Sequence, residues 1–194
     1  MLLRYLTHPQ VRIDASAPVP QWGLNEVGAA RVAAFAERRV LSGTTTIVTS
    51  AETKAVETAG PIAASLGLKA VVREAMHEND RSATGFLPPS EFETVANEFF
   101  ANPEIGIRGW ERAVDAQVRI VRETEAALAG HHGGDILFVG HGGVGTLLFC
   151  HLAGLPIDRM HDQPAGGGNV FAYDLSTRKV GHGWVAMETV GALR

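Results

Sequence analysis

Two histidines follow predicted β-strands and are of a residue type that can do chemistry. His8 stands just after an apolar run at residues 2–6, and His141 stands just after a second run at 136–139. A neutral imidazole is a nucleophile and a proton carrier near pH 7. If the two strands are neighbours in one parallel sheet, both side chains lie at its C-terminal edge, where α/β folds bind their ligands. The alternative is two unrelated loop histidines, because the chain contains eight.

The second of these histidines stands in a turn with the spacing G-x-G-x-x-G. Gly140, Gly142 and Gly145 provide it, and this spacing after a strand is the signature of a dinucleotide site. Such a site also needs a following strand with an acidic residue about 20 positions on. Asp158 and Asp162 instead lie in a segment without strand character. We therefore interpret the glycines as a sharp strand-to-helix turn that needs positive φ and close approach, with backbone N–H groups facing an anion.

Alternating strands and helices surround these two turns. The patterns predict strands at 2–6, 44–49, 69–73, 136–139, 170–175 and 181–187, and helices at 26–41, 52–66, 90–101, 111–129 and 144–153. This order predicts an α/β fold with a mostly parallel sheet, covered by helices on both faces, and with the last two strands as an antiparallel edge.

Several residues should start, end or interrupt these helices. Asn25 is a predicted N-cap, and Ser90 is predicted to form a capping box with Glu93. Gly67 is predicted to end the second helix. Pro61 is predicted to kink that helix or divide it in two, because proline lacks the N–H that a helix interior uses.

Length and composition indicate an ordinary globular protein. The 194 residues are 45% hydrophobic and 20% charged, with a net charge of −4, so we expect one domain over residues 1–194 and no nucleic-acid partner. No segment approaches the ~20 apolar residues of a membrane span, and the first residues lack the pattern of a secretory signal. We therefore expect a cytoplasmic protein without a membrane partner, and a homo-oligomer stays open. Cys150 is the only cysteine, which excludes an internal disulfide and a multi-cysteine metal site.

Four segments, in order, resemble the histidine phosphatase superfamily, which has the phosphoglycerate-mutase-like fold. They read LTHPQV, WGLNEVGAARV, TSAETKAVETAGPIAASLGL and VGHGGVGTLL. In the corresponding places the family has a strand ending in Arg-His-Gly, a Leu-Thr-x-x-Gly helix start, a Ser-x-x-x-Arg-Ala-x-x-Thr-Ala segment and a His-Gly-Gly turn. The resemblance covers almost the whole chain and implies a three-layer α/β/α sandwich.

The resemblance implies roles for five residues. His8 corresponds to the family's phosphorylated nucleophile and His141 to its second pocket histidine. Lys54 stands where the family has a phosphate-binding arginine, and Glu78 falls where many members place the general acid/base. The backbone N–H of Gly142 would face the phosphoryl oxygens.

The assignment of Glu78 is open within its loop. Glu74, His77 and Asp80 stand close by in the sequence, so the acid/base could be a neighbour. The segment HEND also contains ligand types for a divalent metal, although not at a recognised spacing. The chemistry that the resemblance implies requires no metal and no cofactor.

Three positions depart from the family pattern. Thr7 and Lys54 stand in place of arginines, and Pro9 stands in place of a glycine. An arginine grips phosphate with a planar fork, whereas a lysine offers a point charge and a threonine only a hydroxyl. Arg12 and Arg81 are the basic residues nearest to the two active loops and are candidates to replace the missing arginines at the substrate.

The resemblance implies a metal-independent phosphohydrolase that acts on a small phosphomonoester through a phosphohistidine intermediate. The alternative is a degenerate, weakly active or inactive relative that binds a phospholigand or inorganic phosphate. A phosphoglycerate mutase is less favoured, because family members with mutase chemistry tend to be longer.

Overall fold

A mixed sheet of six strands organises residues 1–191, which are the part of the chain that the computed structural model describes. The strands are β1 (Leu2–Thr7), β2 (Thr44–Ser50), β3 (Ala70–Arg73), β4 (Asp135–Gly140), β5 (Asn169–Asp174) and β6 (Lys179–Ala186). Their order across the sheet is β3-β2-β4-β1-β5-β6. The predicted domain extends to residue 194, so its last three positions lie outside the described residues.

The strand directions confirm the predicted mostly parallel sheet with an antiparallel edge. β3, β2, β4 and β1 are parallel to one another, and β5 and β6 are antiparallel to their neighbours. At the end of the β1–β4 pair, Thr7 is opposite Gly140. The backbone N–H of His8 then donates to the Gly140 carbonyl at 2.9 Å. The two histidine segments therefore leave the sheet side by side.

Five longer helices cover both faces of this sheet in residues 1–191. They are α1 (Glu26–Glu37), α2 (Thr53–Leu66), α3 (Pro89–Ala101), α4 (Ala113–Ala129) and α5 (Gly142–Ala153). One core joins α1 and α2 to one face, and a second core joins α3, α4 and α5 to the other. The structure thus has the three layers that the sequence predicts. None of the helices within residues 1–191 has both the length and the apolar character to cross a membrane.

A buried ion pair fastens the start of β1 to the start of β4. Arg4 is 3% exposed, and its guanidinium lies 2.8 Å from the Asp135 carboxylate. The other oxygen of Asp135 accepts the Leu2 N–H at 2.7 Å. Because a buried charge is costly unless it is paired, this contact favours the alignment in which β1 and β4 begin together.

The helix ends agree with the sequence in two places and differ in one. The side chain of Asn25 accepts the Gly28 N–H at 2.9 Å, and Gly67 ends α2 with a φ of 67°, both as predicted. The predicted capping box of Ser90 is wrong, because α3 already begins at Pro89 and has no side-chain cap. Proline suits the first helical position, where its missing N–H has no helical partner to lose.

The helix α2 is continuous across Pro61, so the predicted division of this helix is wrong. Residues on both sides of the proline, Ala59 and Ile62, are almost fully buried against the sheet. This packing keeps α2 a single helix although Pro61 has no N–H to donate to the preceding turn. The helix α1 ends at Glu37, earlier than the predicted residue 41.

Tyr5 explains two of the glycines in the turn between β4 and α5. Its fully buried hydroxyl accepts the His141 N–H at 3.0 Å and donates to the His141 carbonyl at 3.2 Å. A Cβ at Gly140 would meet this hydroxyl, and a Cβ at Gly145 would meet the edge of the Tyr5 ring. Neither glycine has a positive φ, so that part of the expectation is wrong and close approach is the reason for both.

We predict that alanine costs more stability at one helical glycine than at another. Gly145→Ala should lower the free energy of unfolding by about 1–3 kcal/mol, because its methyl group overlaps the fixed ring of Tyr5. A methyl group at Gly60 in α2 meets no atom within 4 Å beyond its chain neighbours, so Gly60→Ala should cost less, since its new contact is with the ring of Pro61 that follows it. Urea denaturation of both variants measures this, and equal effects of the two substitutions would contradict the packing argument.

Candidate active site

The rings of His8 and His141 lie together at the C-terminal edge of β1 and β4. Their centroids are 5.4 Å apart and their planes meet at 67°. His141 is fully buried, and His8 is partly exposed. The adjacency that the sequence could only propose is therefore present in the structure, whereas the roles of the two residues stay predictions.

One ring nitrogen of His8 is held by the backbone and the other is left for chemistry. Nδ1 lies 2.8 Å from the Pro9 carbonyl oxygen. Since a carbonyl oxygen can only accept, Nδ1 carries the hydrogen and Nε2 carries the lone pair. Burial, and after it the neighbouring His141, lowers the pKa of His8 from its usual 6.5 to about 3. His8 is therefore a neutral imidazole with a fixed orientation at neutral pH.

His141 is oriented by contacts at its backbone and at one ring nitrogen. Tyr5 bonds both its N–H and its carbonyl. Nε2 lies 2.9 Å from the Ser50 hydroxyl and 3.5 Å from a Glu52 carboxylate oxygen. Burial lowers the pKa of His141, although the charges of Glu52 and Glu78 oppose this. Its Nδ1 is buried and has no hydrogen-bond partner within residues 1–191.

Glu52 is a central residue of the site that the sequence analysis missed. It is 8% exposed, and its carboxylate accepts from the Lys54 ammonium at 2.5 Å and from the Glu78 N–H at 2.9 Å. Burial raises its pKa, but His141 and Lys54 outweigh this and hold the pKa at about 2. Glu52 is therefore ionised. The available signal was its place two residues from Lys54 in the loop that follows β2.

Lys54 lies at the site with its charge already paired. Its side chain is 4% exposed, and its ammonium bonds Glu52 and the Val19 carbonyl, the latter at 2.9 Å. The positive charge still acts on the histidine pair, because it contributes to the lowered pKa of His8. A phosphate clamp at this position would have to share the ammonium with Glu52.

Glu78 caps the N-terminus of α5 beside His141. Its two carboxylate oxygens accept the N–H groups of Gly143 at 3.0 Å and Val144 at 2.9 Å. Burial raises its pKa, but Arg81 first, then His141 and these two N–H groups, hold the pKa below its usual range. A carboxylate at a helix N-terminus is favoured by the helix dipole. The predicted acid/base thus lies at the site in its ionised form.

Arg119 fixes the loop that carries Glu78, and the sequence gave no sign of this role. Its guanidinium donates to the carbonyl oxygens of Ala75 at 2.8 Å and His77 at 2.9 Å. It also donates to the Glu78 carbonyl at 3.3 Å and forms an ion pair with Glu111 at 2.6 Å. Arg119 therefore fixes the backbone on both sides of His77 and so positions the segment HEND that carries Glu78. Within residues 1–191, no group of three or more His, Cys, Asp or Glu side chains is arranged to hold a metal ion.

Thr7 faces the β5 side of the sheet edge. Its hydroxyl donates to the Gln163 side chain at 2.6 Å and accepts the Asn169 N–H at 3.0 Å. A Cβ at Gly142 would meet the same Gln163 side chain. The hydroxyl of Thr7 is therefore used inside the protein, and its predicted contact with substrate stays without support from this geometry. The N–H of Gly142, by contrast, has no partner in the described part of the chain.

The two candidate replacement arginines lie in different surroundings. Arg12 is exposed on the loop after His8, where its backbone N–H bonds the Gly23 carbonyl. The Arg81 guanidinium lies 5.0 Å from the Phe92 ring centroid and 5.6 Å from the centroid of a Trp110 ring. It has no hydrogen bond or ion pair to residues 1–191, and its charge acts on Glu78 and His141. Arg81 is thus the better placed of the two to meet an anion.

Comparison with known proteins identifies the family. A family model described as the histidine phosphatase superfamily (branch 1) matches residues 13–181, a range that begins after His8 and includes His141. No curated protein matches the chain.

Several solved structures share the fold. Bacillus stearothermophilus YhfR has a TM-score of 0.78 and 20% identity, with 94% of each chain covered. A mycobacterial glucosyl-3-phosphoglycerate phosphatase complexed with VO3 has a TM-score of 0.77 and 21% identity, covering 95% of this chain and 98% of its own. A phosphoserine phosphatase from Entamoeba histolytica, in complex with 3-phosphoglyceric acid, has a TM-score of 0.75 and 13% identity, covering 95% and 97%.

The lowered pKa of His8 predicts how stability depends on pH. The unfolded imidazole titrates near 6.5 and the folded one near 3, so the unfolded state binds more protons between these values. Stability is therefore complete above pH 6.5 and falls as the pH decreases towards 3. When the pH is lowered from about 7 to about 5, the range in which histidines titrate, the free energy of unfolding should decrease less in His8→Asn than in the unchanged protein.

Urea denaturation at the two pH values measures this difference. His132→Asn is the matched control, because His132 is exposed. If His8→Asn and His132→Asn change the pH dependence equally, His8 is not held neutral by its surroundings.

Proposed function

This chain belongs to the histidine phosphatase superfamily, and we propose that it hydrolyses a small phosphomonoester through a phosphohistidine at His8. The observation that carries the proposal is the histidine pair, with ring centroids 5.4 Å apart and His8 Nδ1 bonded to the Pro9 carbonyl. This bond leaves the Nε2 lone pair as the nucleophile. Because the pKa of His8 is about 3, the imidazole needs no base to remove a proton before it attacks.

In the first step, Nε2 of His8 forms a bond to phosphorus while the bond from phosphorus to the leaving oxygen breaks. Glu78 supplies the proton that the leaving alcohol needs. Its carboxyl is ionised in the free protein, but the negative charge of the bound phosphate ester raises its pKa, so that Glu78 takes up a proton from the solvent when the substrate binds and donates it to the leaving oxygen. In the second step, Glu78 takes a proton from water, and the water oxygen displaces His8 from phosphorus.

Three groups support the proposal that phosphoryl oxygens are stabilised here. Arg81 has a guanidinium without an ion-pair partner in residues 1–191, and Gly142 has an N–H without a partner there. His141 is the third: if its Nε2 accepts from the Ser50 hydroxyl, its hydrogen is on the buried, unpaired Nδ1. Donors that are fixed in place before the reaction stabilise charge that develops in the transition state.

A degenerate, phosphate-binding relative is the second candidate, and one observation favours it. The Lys54 ammonium is paired with Glu52, and the Thr7 hydroxyl donates to the Gln163 side chain, so neither of the two positions where the family has an arginine offers a free donor. Such a protein would bind a phospholigand at the histidine pair without turnover.

Three further predictions also stay proposals. They are a single domain over residues 1–194, a cytoplasmic location and a homo-oligomer.

We expect His8→Asn to abolish turnover of 4-nitrophenyl phosphate, with a loss of about a thousandfold or more, because the nucleophile is removed. Substrate labelled in its phosphoryl group should leave acid-labile, alkali-stable label on the unchanged protein and on His132→Asn, but not on His8→Asn. Undiminished turnover by His8→Asn would refute the phosphohistidine. Binding of phosphate without turnover in the unchanged protein would favour the second candidate.

We expect Arg81→Ala to weaken inorganic phosphate binding by roughly tenfold or more, as the loss of a charged hydrogen bond does. Arg12→Ala is the matched control, since it removes the same charge from the exposed loop after His8. Calorimetric titration of phosphate into both variants measures the difference. A larger loss in Arg12→Ala than in Arg81→Ala would reverse the assignment of the missing arginine.

A further inference from the structure

A large cavity lies beside Glu52 and Glu78, and most of its lining has no part in the steps proposed above. Its volume is about 830 Å³, which is in the upper part of the range for small-molecule sites. Glu52, Glu78 and Arg81 line one end of it. Glu78 connects the cavity to the histidine pair, because the same carboxylate also caps α5 beside His141.

Another part of the cavity wall is apolar and partly aromatic. Trp22, Phe86 and Phe92 line it. The Trp22 and Phe86 rings have centroids 5.5 Å apart, and the Trp22 indole N–H is satisfied by the carbonyl oxygens of Asp14 and Ala17. The indole therefore presents its carbon face to the cavity with its one polar group already bonded. Phe86 is 40% exposed, so part of this wall faces water until a ligand covers it.

The charges around the cavity are mainly negative. The carboxylates that line it belong to Glu52, Glu74, Glu78, Asp80 and Glu93, and Arg81 is the one lysine or arginine that lines it within residues 1–191. Two of these acids are paired from outside the cavity, Glu52 by Lys54 and Glu93 by Arg159. The acidic groups still exceed the basic ones. A leaving group with its own carboxylate would be repelled here.

We propose that this cavity binds the alcohol part of the substrate, and that this part is bulky, apolar and without charge. The inference rests on the proposed function for the phosphoryl group of the substrate. The chemical class of the alcohol is inferred from the residues that line the cavity. Arg81 joins the two regions, because its guanidinium stacks on Phe92 while its charge reaches Glu78. The substrate class is thus a phosphomonoester of an aromatic or branched apolar alcohol.

Three alkyl phosphates with similar leaving oxygens test the proposal. They are 3-phenylpropyl phosphate, glycerol 1-phosphate and 3-phosphoglycerate, which have an apolar, a neutral polar and an anionic alcohol part. We expect kcat/KM to decrease in this order, by about tenfold or more between the first and the last. Phe86→Ala should reduce the preference for 3-phenylpropyl phosphate, whereas Ile105→Ala, which removes another exposed side chain, should not. Equal or higher kcat/KM for 3-phosphoglycerate would overturn the inference and leave phosphatase activity intact.

A binding measurement separates this inference from the proposed function. 3-Phenylpropanol, the alcohol alone, should quench tryptophan emission by binding beside Trp22, and Phe86→Ala should weaken this binding by several-fold. If no phosphate ester is hydrolysed but the alcohol binds in this way, the cavity assignment holds and the phosphatase proposal fails. If the alcohol does not bind, or binds Phe86→Ala equally well, the cavity assignment fails whatever the turnover.

Discussion

The parallel pairing of β1 with β4 is the constraint on which the rest of the site depends. It places His8 and His141 at one edge although 133 residues separate them. Parallel strands bury both faces, so their side chains must be covered by helices, and the two cores supply this. The Tyr5 hydroxyl then sets the second histidine by bonding both backbone groups of His141. One strand thus carries one histidine and positions the other.

Burial and charge balance determine the chemical state of the pair. Removal from water lowers the pKa of both histidines, and the pKa of about 3 makes His8 neutral at neutral pH. The same burial raises the pKa of Glu52 and Glu78, but nearby cations and backbone N–H groups outweigh it and keep both carboxylates charged. The result is a neutral nucleophile between fixed charges of both signs. Because charges of both signs surround this pocket, a bound dianion would depend on hydrogen bonds from individual donors, and the net charge of the pocket would attract it little.

The sequence was sufficient for the strands, for the mostly parallel sheet with its antiparallel edge and for the two histidines at strand ends, because these depend on local patterns along the chain. It was insufficient where a contact joins distant segments. On α4, the apolar residue Val118 is 68% exposed, whereas the small residues Ala113 and Ala116 are buried in the core that α4 shares with α5. Glu52 was missed for the same reason, since its partners at the site come from three separate segments.

The departures from the family pattern are connected through Glu52 and Arg81. With the ammonium of Lys54 held by Glu52, the cation left open at the site is Arg81, within the described part of the chain. The Arg81 guanidinium lies over the rings of Phe92 and Trp110, a cation–π contact that leaves its N–H groups without a partner in the described part of the chain. Phe92, one of these two aromatic residues, also lines the cavity proposed for the alcohol. Recognition of the two ends of a substrate would then be coupled, because an apolar alcohol packed against Phe92 would also restrict the guanidinium that contacts the phosphoryl group.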